Sequence, residues 1–479
     1  MTHTPLPVLR LRRDATVTDG RIDTPFGVLP LKQLPPGAAA ALTALSTRDT
    51  ADNELAALVV AGDGEGGLMR WHLLHARLAA TGLLEHAVTG PDGQIAARLV
   101  PRGRGSTALA SWPAGADPVP VRLSRFALLR TEDAVLTLQA PGSHLAVELA
   151  PAAASLLGQL GDWTKDLPAP LLRLLATAGL LTRADHGPDG LPADPETTGR
   201  GPAQWHPLDL AFHSRTRTPA AASGYGGTYP GKARFEPEPA AAPLGDGPRI
   251  TLDTPDLDQV AARDPSLTQV LEARTSRRAH DDERPLTAEQ LAELLYRTLR
   301  IRSVFTGSDG QELADRPYPS GGAVHELEVY PLVTSCRGLD PGLYRYAADR
   351  HELEHVAVPG PATAALVREA RDAAMMRTDP QVVLLVAARF GRVMWKYETV
   401  AYPLILKHVG VLYQTLYLTA EAMGLAACGL GGGDTTAFAA ATGRDPLLEG
   451  SVGELVIGSR APEPAESAPE PAAAAAAEG

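Results

Sequence analysis

The alternation of apolar and polar positions divides the chain into two halves that read differently. Over residues 1–185, alternating stretches lead into Ala- and Leu-rich helices, and the order recurs. LPPGAAAALTAL (34–45) resembles LAPAAASLLGQL (149–160), and RLAATGLLEH (77–86) resembles RLLATAGLLTR (173–183). In each copy a helix is expected to end at a glycine, Gly82 or Gly179, because a left-handed residue closes a helix most easily without a Cβ. Strands, an Ala-rich helix and a second helix ending in a Leu–Leu step are how small winged-helix modules read. Self-similarity in a fixed order weighs more than propensity, although two unrelated helices in an Ala-rich chain give a similar pattern.

From about Ile250 the pattern tightens. LTAEQLAELLYRTLR (286–300) is a helix that opens on a capping box, Thr287 with Gln290, and buries Leu291, Leu294 and Leu295 as one stripe. QVVLLVAA (381–388) is apolar throughout and reads as a buried strand. Residues 361–376 read as helix, and GELVIG (453–458) as the final strand. A long apolar helix follows Lys396. Pro403 fits only its first turn, so the helix starts around Tyr402 and leaves Lys396 and Tyr397 on the loop or strand before it.

Between the halves, residues 185–203 are rich in Pro, Gly and Asp, and 219–249 in Ala, Pro and Gly. QWHPLDLAFHSRTRT (204–218) stands out between them as a segment that docks on something. The expected organisation is therefore a winged-helix-like module at 1–95 and a second at 96–185. A linker at 186–249 carries the docking segment 204–218. A larger domain at 250–460 and a disordered tail at 461–479 complete the chain.

Composition narrows the function. A formal charge of −12 argues against nucleic-acid binding, which draws on phosphate neutralisation. Two cysteines, Cys336 and Cys428, imply no disulfide framework. MTHTPLPVLRLRRD lacks the apolar core of a signal peptide, and no apolar run reaches the ~18 residues of a membrane span. A reducing cytoplasm is the expected compartment. His72 and His75 share a helix face but have no evident third ligand for a metal.

Candidate chemistry lies in the second half. Arg274, Ser276 and Arg278 alternate, and in an extended segment they would make a phosphate clamp; a solvated basic turn accounts for them equally. Pro319, Ser320, Gly321 and Gly322 form a tight bend where backbone groups can face a ligand. The Lys396–Tyr397 pair can exchange protons if its surroundings bring one pKa towards neutrality. The small-residue run from Cys428 to Gly433 lets a flat ligand approach the backbone.

In this order, ARTSRR, PYPSGG, WKYETVAY, GLAACGLGGGD and ELVIGSR resemble the FMN-dependent nitroreductase superfamily. The Lys–Tyr pair and the preceding WHPLDLAFHSRTR resemble the SagB/ThcOx-type azoline dehydrogenases of thiazole/oxazole-modified peptide biosynthesis. The resemblance implies an α+β fold, a nitroreductase-like FMN domain with a central mixed sheet flanked by helices. It implies FMN held by Arg274, Ser276 and Arg278 at the phosphate and ribityl oxygens, with Arg460 also on the phosphate. Pro319, Ser320 and Gly321 would line the ring, and Gly431 and Gly432 would offer N–H groups near its N5 edge. Lys396 and Tyr397 would be catalytic. A homodimer, an azoline-bearing precursor peptide and a cyclodehydratase partner are further implications. One departure is Ala323, where many nitroreductases carry an Asn. The competing readings are an NAD(P)H-dependent nitro- or enone-reductase and a non-catalytic peptide-binding scaffold.

Overall fold

Val382–Arg389 is the strand about which the second half of the molecule is layered. All eight of its residues are buried, and strict alternation divides them between two cores. Val382, Leu384, Val386 and Ala388 enter one, Val383, Leu385 and Ala387 the other. The computed structural model describes residues 7–25, 27–90, 92–110, 119–186, 192–217 and 226–462. They fall into two compact units, Met1–Tyr225 and Gly226–Gly479.

In the second unit seven strands form one sheet. Their spatial order is Arg249–Thr251, Glu352–Ala357, Gly342–Ala347, Leu327–Val333, Val382–Arg389, Glu449–Ser459 and Leu425–Gly429. Helices Ala288–Leu299 and Ala401–Ala422 cover one face, and Pro361–Ala373 and Thr435–Thr442 the other. This is the expected α+β class. The sheet itself is antiparallel at every neighbouring pair rather than mixed. A continuous apolar run reports burial on both faces, which helices on both sides supply here, and is silent on strand direction.

The local signals for this unit are realised. Thr287 and Gln290 exchange both capping-box hydrogen bonds, and Leu291, Leu294 and Leu295 are buried. The long helix begins at Ala401 with Pro403 in its first turn. Lys396 and Tyr397 lie in the turn between it and a short helix, Phe390–Met394, that the sequence pattern did not reveal.

In the first unit the two copies close their helices with the same motif. Gly82, at φ +73°, donates to Ala79 O, and Leu83 donates to Leu78 O; Gly179, at φ +74°, donates to Ala176 O, and Leu180 to Leu175 O. Each pair of bonds is a Schellman closure, which satisfies carbonyls at the helix end. Each copy has its own apolar core. The strand Ile95–Pro101 spans the expected module boundary and pairs with Leu84–Thr89 on one side and Leu145–Leu149 on the other, so one six-stranded sheet runs through both copies. The expected docking segment carries the helix Pro207–Arg217, in which no residue is fully buried. The expected tail lies, beyond Pro462, outside the described residues. Among the described residues no helix is long and apolar enough to cross a membrane, and no group of three His, Cys, Asp or Glu side chains could hold a metal.

Candidate flavin and proton-transfer site

The turn that carries Lys396 and Tyr397 is held by segments far away in the chain. Arg392, fully buried one step upstream, donates from Nε to Val324 O at 3.0 Å, from Nη1 to Glu238 O at 2.6 Å and from Nη2 to Glu312 O at 2.9 Å. One guanidinium thus pins the bend after Pro319, the hairpin Ser303–Thr306/Glu312–Asp315 and the stretch before the domain. Burial, and then the charges of Arg389 and Arg316, lower its pKa to about 10, so it remains a cation at neutral pH.

The stretch from Gly226 to Ala240, expected as linker, is part of this structure. Thr228 and Tyr229 both donate backbone N–H groups to Lys396 O at 3.0 Å, and Gly231 donates to Trp395 O at 3.2 Å. Trp395 Nε1 returns a bond to Phe235 O at 2.8 Å. A Pro- and Gly-rich composition signals absence of regular secondary structure, which is compatible with a well-bonded irregular strap.

Lys396 and Tyr397 both lie against the PSGG bend. A Cβ placed on Gly322 would run into the Tyr397 hydroxyl and would lie 3.4 Å from Lys396 Nζ. Gly322, Ala323 and His325 all have positive φ, +64°, +55° and +47°. Left-handed backbone is uncommon away from Gly and Asn, so Ala323 carries a cost that an Asn there would lower. The bend is fixed from below: Gly321 N–H donates to His408 Nε2 at 2.7 Å, and His408 Nδ1 meets Glu326 Oε1 at 2.8 Å. Because Nε2 accepts, the proton sits on Nδ1 and points at Glu326. Ser320 Oγ accepts from His325 N–H at 3.0 Å.

Lys396 Nζ forms an ion pair with Asp309 Oδ2 at 3.6 Å, both side chains being largely buried. Asp309 also accepts the Gln311 N–H on Oδ1 at 3.0 Å and a hydrogen bond from Tyr229. Burial alone would raise this carboxyl, but these donors and the Lys396 charge outweigh it and hold the pKa below its ordinary value. Burial, and then the Asp309 charge, push the Tyr397 phenol above its usual value. Tyr397 is therefore a neutral hydroxyl near pH 7.

The second predicted group gathers around Tyr417, further along the long helix. Arg274 places its guanidinium 5.4 Å above the Tyr417 ring, and Ser276 Oγ is 3.0 Å from its hydroxyl. That hydroxyl accepts Gly429 N–H at 2.6 Å, and either it or Ser276 Oγ can be the donor in the bond between them. Arg277 N–H bonds to Ala427 O at 2.9 Å and runs the segment along the edge strand. Arg278 is exposed. Glu421 pairs with Arg460 at 2.8 Å and Arg277 at 3.5 Å, while the buried Arg460 Nε has no hydrogen-bond partner among the described residues. A Cβ on Gly431 or Gly432 would meet nothing within 4 Å, whereas Gly433 packs on the Glu454 carboxylate.

His408 and Tyr417 are nine residues apart, roughly 13 Å along the axis and about half a turn around it. The bend and the arginine group thus flank opposite margins of the buried stripe of one helix. Sequence reasoning missed Asp309, Tyr229, Arg392, Glu326, His408 and Tyr417. Asp309 sits in a Ser–Asp–Gly turn that signals only a turn, and the others carry no local signature.

The second unit is thus an α+β domain, a helix-covered antiparallel sheet with a basic cluster at its edge. Residues 271–459, within the second unit, match the Nitroreductase family model. Two relatives bear the name "putative nitroreductase". One, from Methanocaldococcus jannaschii, is 25% identical over 188 residues, 39% of this chain and 85% of that protein. The other, a crystal structure from Ralstonia eutropha JMP134, is 22% identical over 48% of this chain and 96% of its own, with a TM-score of 0.36. The Escherichia coli microcin synthetase McbBCD complex with truncated pro-MccB17 bound is 24% identical over 40% of this chain and 73% of the matched chain, with a TM-score of 0.33.

The residues present fit FMN. Half-exposed and exposed guanidiniums, one buried N–H without a partner and two glycines bordered by open space suit a phosphate and a flat ring.

Proposed function

We propose that the protein oxidises azolines, thiazolines or oxazolines, in a ribosomally made precursor peptide to the aromatic azoles, with FMN as cofactor. The observation that carries this reading is the placement of Lys396 Nζ and the Tyr397 hydroxyl together against Gly322 of the PSGG bend. In the resemblance that bend lines the flavin ring. A proton-transfer pair beside it suits a substrate that must lose a proton as well as a hydride.

An azoline carries an acidic C–H next to a carbonyl and a second C–H on the neighbouring ring carbon. Aromatisation breaks both bonds, releasing one proton and one hydride. Bound FMN supplies the two-electron acceptor for the hydride. Tyr397, held as a phenol, donates a hydrogen bond to the charge that develops on the substrate. Lys396 takes the proton as its neutral amine, whose lone pair forms the new N–H bond as the C–H bond breaks; the ion pair with Asp309 is the state that results. Arg274, Ser276, Arg278 and Arg460 hold the phosphate end, and Gly431 and Gly432 leave room for the ring. The two margins of the long helix face apart, and a homodimer in which each site draws one margin from each chain accommodates one ligand at both. The substrate ring must be made beforehand by cyclodehydration, so a cyclodehydratase is the partner reaction, and the first unit is assigned to recognition of the peptide.

Incubating the purified, flavin-loaded protein with an azoline-bearing peptide tests this directly. A loss of about 2 Da per ring, two hydrogens, is expected. Unchanged peptide mass together with steady NADPH oxidation would overturn the reading in favour of a nicotinamide-dependent reductase.

A further inference from the structure

Lys396 meets a carboxylate that no motif announces. Asp309 stands at the tip of the hairpin Ser303–Thr306/Glu312–Asp315, 87 residues before it in the chain. Its carboxylate is held from three directions: Gln311 N–H on Oδ1, Lys396 Nζ facing Oδ2, and the Tyr229 hydroxyl. Tyr229 comes from the strap ahead of the domain, whose backbone N–H also caps Lys396 O at 3.0 Å. Lys396 Nζ lies 6.0 Å from the Tyr229 ring centroid and 5.9 Å from that of Tyr397, so the cation is bracketed by two aromatic faces.

The spacing has a chemical consequence. At 3.6 Å the Lys396–Asp309 contact is too long for a strong hydrogen bond, so it acts by charge and leaves the nitrogen free to face a substrate. We infer that Asp309 and Tyr229 are positioning residues for Lys396: the carboxylate holds Nζ against the Gly322 bend and stabilises the ammonium that forms when Lys396 accepts the substrate proton. The logic is that of a buried carboxylate behind the base of a hydrolase triad, which orients the base and stabilises its protonated form without taking the proton. In the reaction the C–H bond breaks, the N–H bond forms, and Asp309 remains a carboxylate. This inference rests on the proposed azoline oxidation for its kinetic arm only.

The test compares Asp309→Asn, Asp309→Glu and Tyr229→Phe in the full-length, flavin-loaded protein, with Lys396 present and in a Lys396→Ala background. Asp309→Asn is expected to lower kcat by about 10- to 100-fold with KM and bound flavin unchanged. Asp309→Glu should recover part of the loss. In the Lys396→Ala background Asp309→Asn should add nothing, because it acts through the missing amine. An equal loss in both backgrounds marks a merely structural role and overturns the inference. Tyr229→Phe leaves the hairpin turn intact and should cost about 3- to 10-fold, again only when Lys396 is present. A second readout needs neither flavin nor turnover. Acylation of individual lysines by an amine-reactive ester, followed by mass spectrometry, should be faster at Lys396 in Asp309→Asn, with the exposed Lys407 as internal control. Equal labelling of Lys396 in both proteins overturns the inference. If Lys396→Ala oxidises azolines at the wild-type rate, the functional reading fails, and the labelling still decides the placement of Lys396.

Discussion

Along the Leu404–His408 margin of the long helix the charged groups are largely buried; along the Tyr413–Tyr417 margin, the key cations stand half-exposed or exposed. Around the PSGG bend Arg392 binds three segments, Lys396 faces Asp309 and His408 meets Glu326, although Glu326 Oε2 and Arg316 Nε are buried without a hydrogen-bond partner among the described residues. At the other margin Arg278 is exposed and Arg460 keeps a buried N–H without a hydrogen-bond partner, with Glu421 as the shared counter-charge. Proton transfer depends on fixed geometry, since a misplacement of about 1 Å can cost on the order of 100-fold in rate. Anion recognition needs charge left available for the ligand. On the proposed function, one helix serves two tasks, with a buried, densely bonded margin for proton transfer and a more open cationic margin for the anion.

The sharpest way to break this comparison is to remove a group from each margin and read both observables. Lys396→Ala is expected to lower turnover on an azoline peptide by ~100- to 10,000-fold while flavin absorbance stays at the wild-type level. Tyr397→Phe should do likewise to a lesser degree. Lost flavin in either variant would erase the division of labour. On the opposite margin, Arg274→Ala with Arg278→Ala removes two charge-assisted contacts of about 1.5–3 kcal/mol each, so the protein should purify without flavin. Full yellow occupancy in that variant would move the phosphate elsewhere.

Glycine substitutions sharpen the contrast at smaller cost. Gly322→Ala drives a Cβ into the Tyr397 hydroxyl at a φ of +64°, with about 1–2 kcal/mol of backbone strain. Turnover should fall by about tenfold or more, with flavin retained. Gly431→Ala meets open space and should leave the melting temperature unchanged while weakening flavin binding, measured by fluorescence titration. A Gly431→Ala protein that binds flavin normally would place the ring away from this strip.

The last effect is on stability rather than on turnover or flavin and concerns pH, with one histidine at each margin. His325, beside the bend, has its pKa lowered to about 3 by burial and then by the charges of Arg316, His408 and Arg392. His280, packed under Gly458 and bridged to Arg460, is lowered to about 4 by burial, only partly offset by Asp282. Both are neutral in the fold and bind protons more readily once unfolded. Their contribution to stability is complete above about pH 6.5 and is lost as pH falls through the window down to about 4 and 3. The melting temperature should therefore decline progressively below pH 6.5, and His280→Asn should flatten part of that decline. A melting temperature independent of pH between 7 and 5 would contradict neutral burial of these rings.

What the sequence determined by itself acts over a few residues or through period. The capping box at Thr287, the Schellman glycines Gly82 and Gly179, the buried run 382–388 and the first-turn Pro403 each follow from local backbone rules. The motif order was also legible and located the arginine group, the PSGG bend, the Lys–Tyr pair and the glycine strip. Tertiary structure alone decided how these parts are held. Asp309 reaches Lys396 across 87 residues, Arg392 reaches Glu238 across 154, and a Pro- and Gly-rich strap that reads as linker caps the Lys–Tyr turn. A side chain's type and spacing fix which neighbours it meets within one or two helical turns. Pairings at greater separation depend on how whole elements pack, and an isolated Asp in a turn or Arg in a short helix looks the same from sequence whether its partner is water or a buried ammonium or carbonyl.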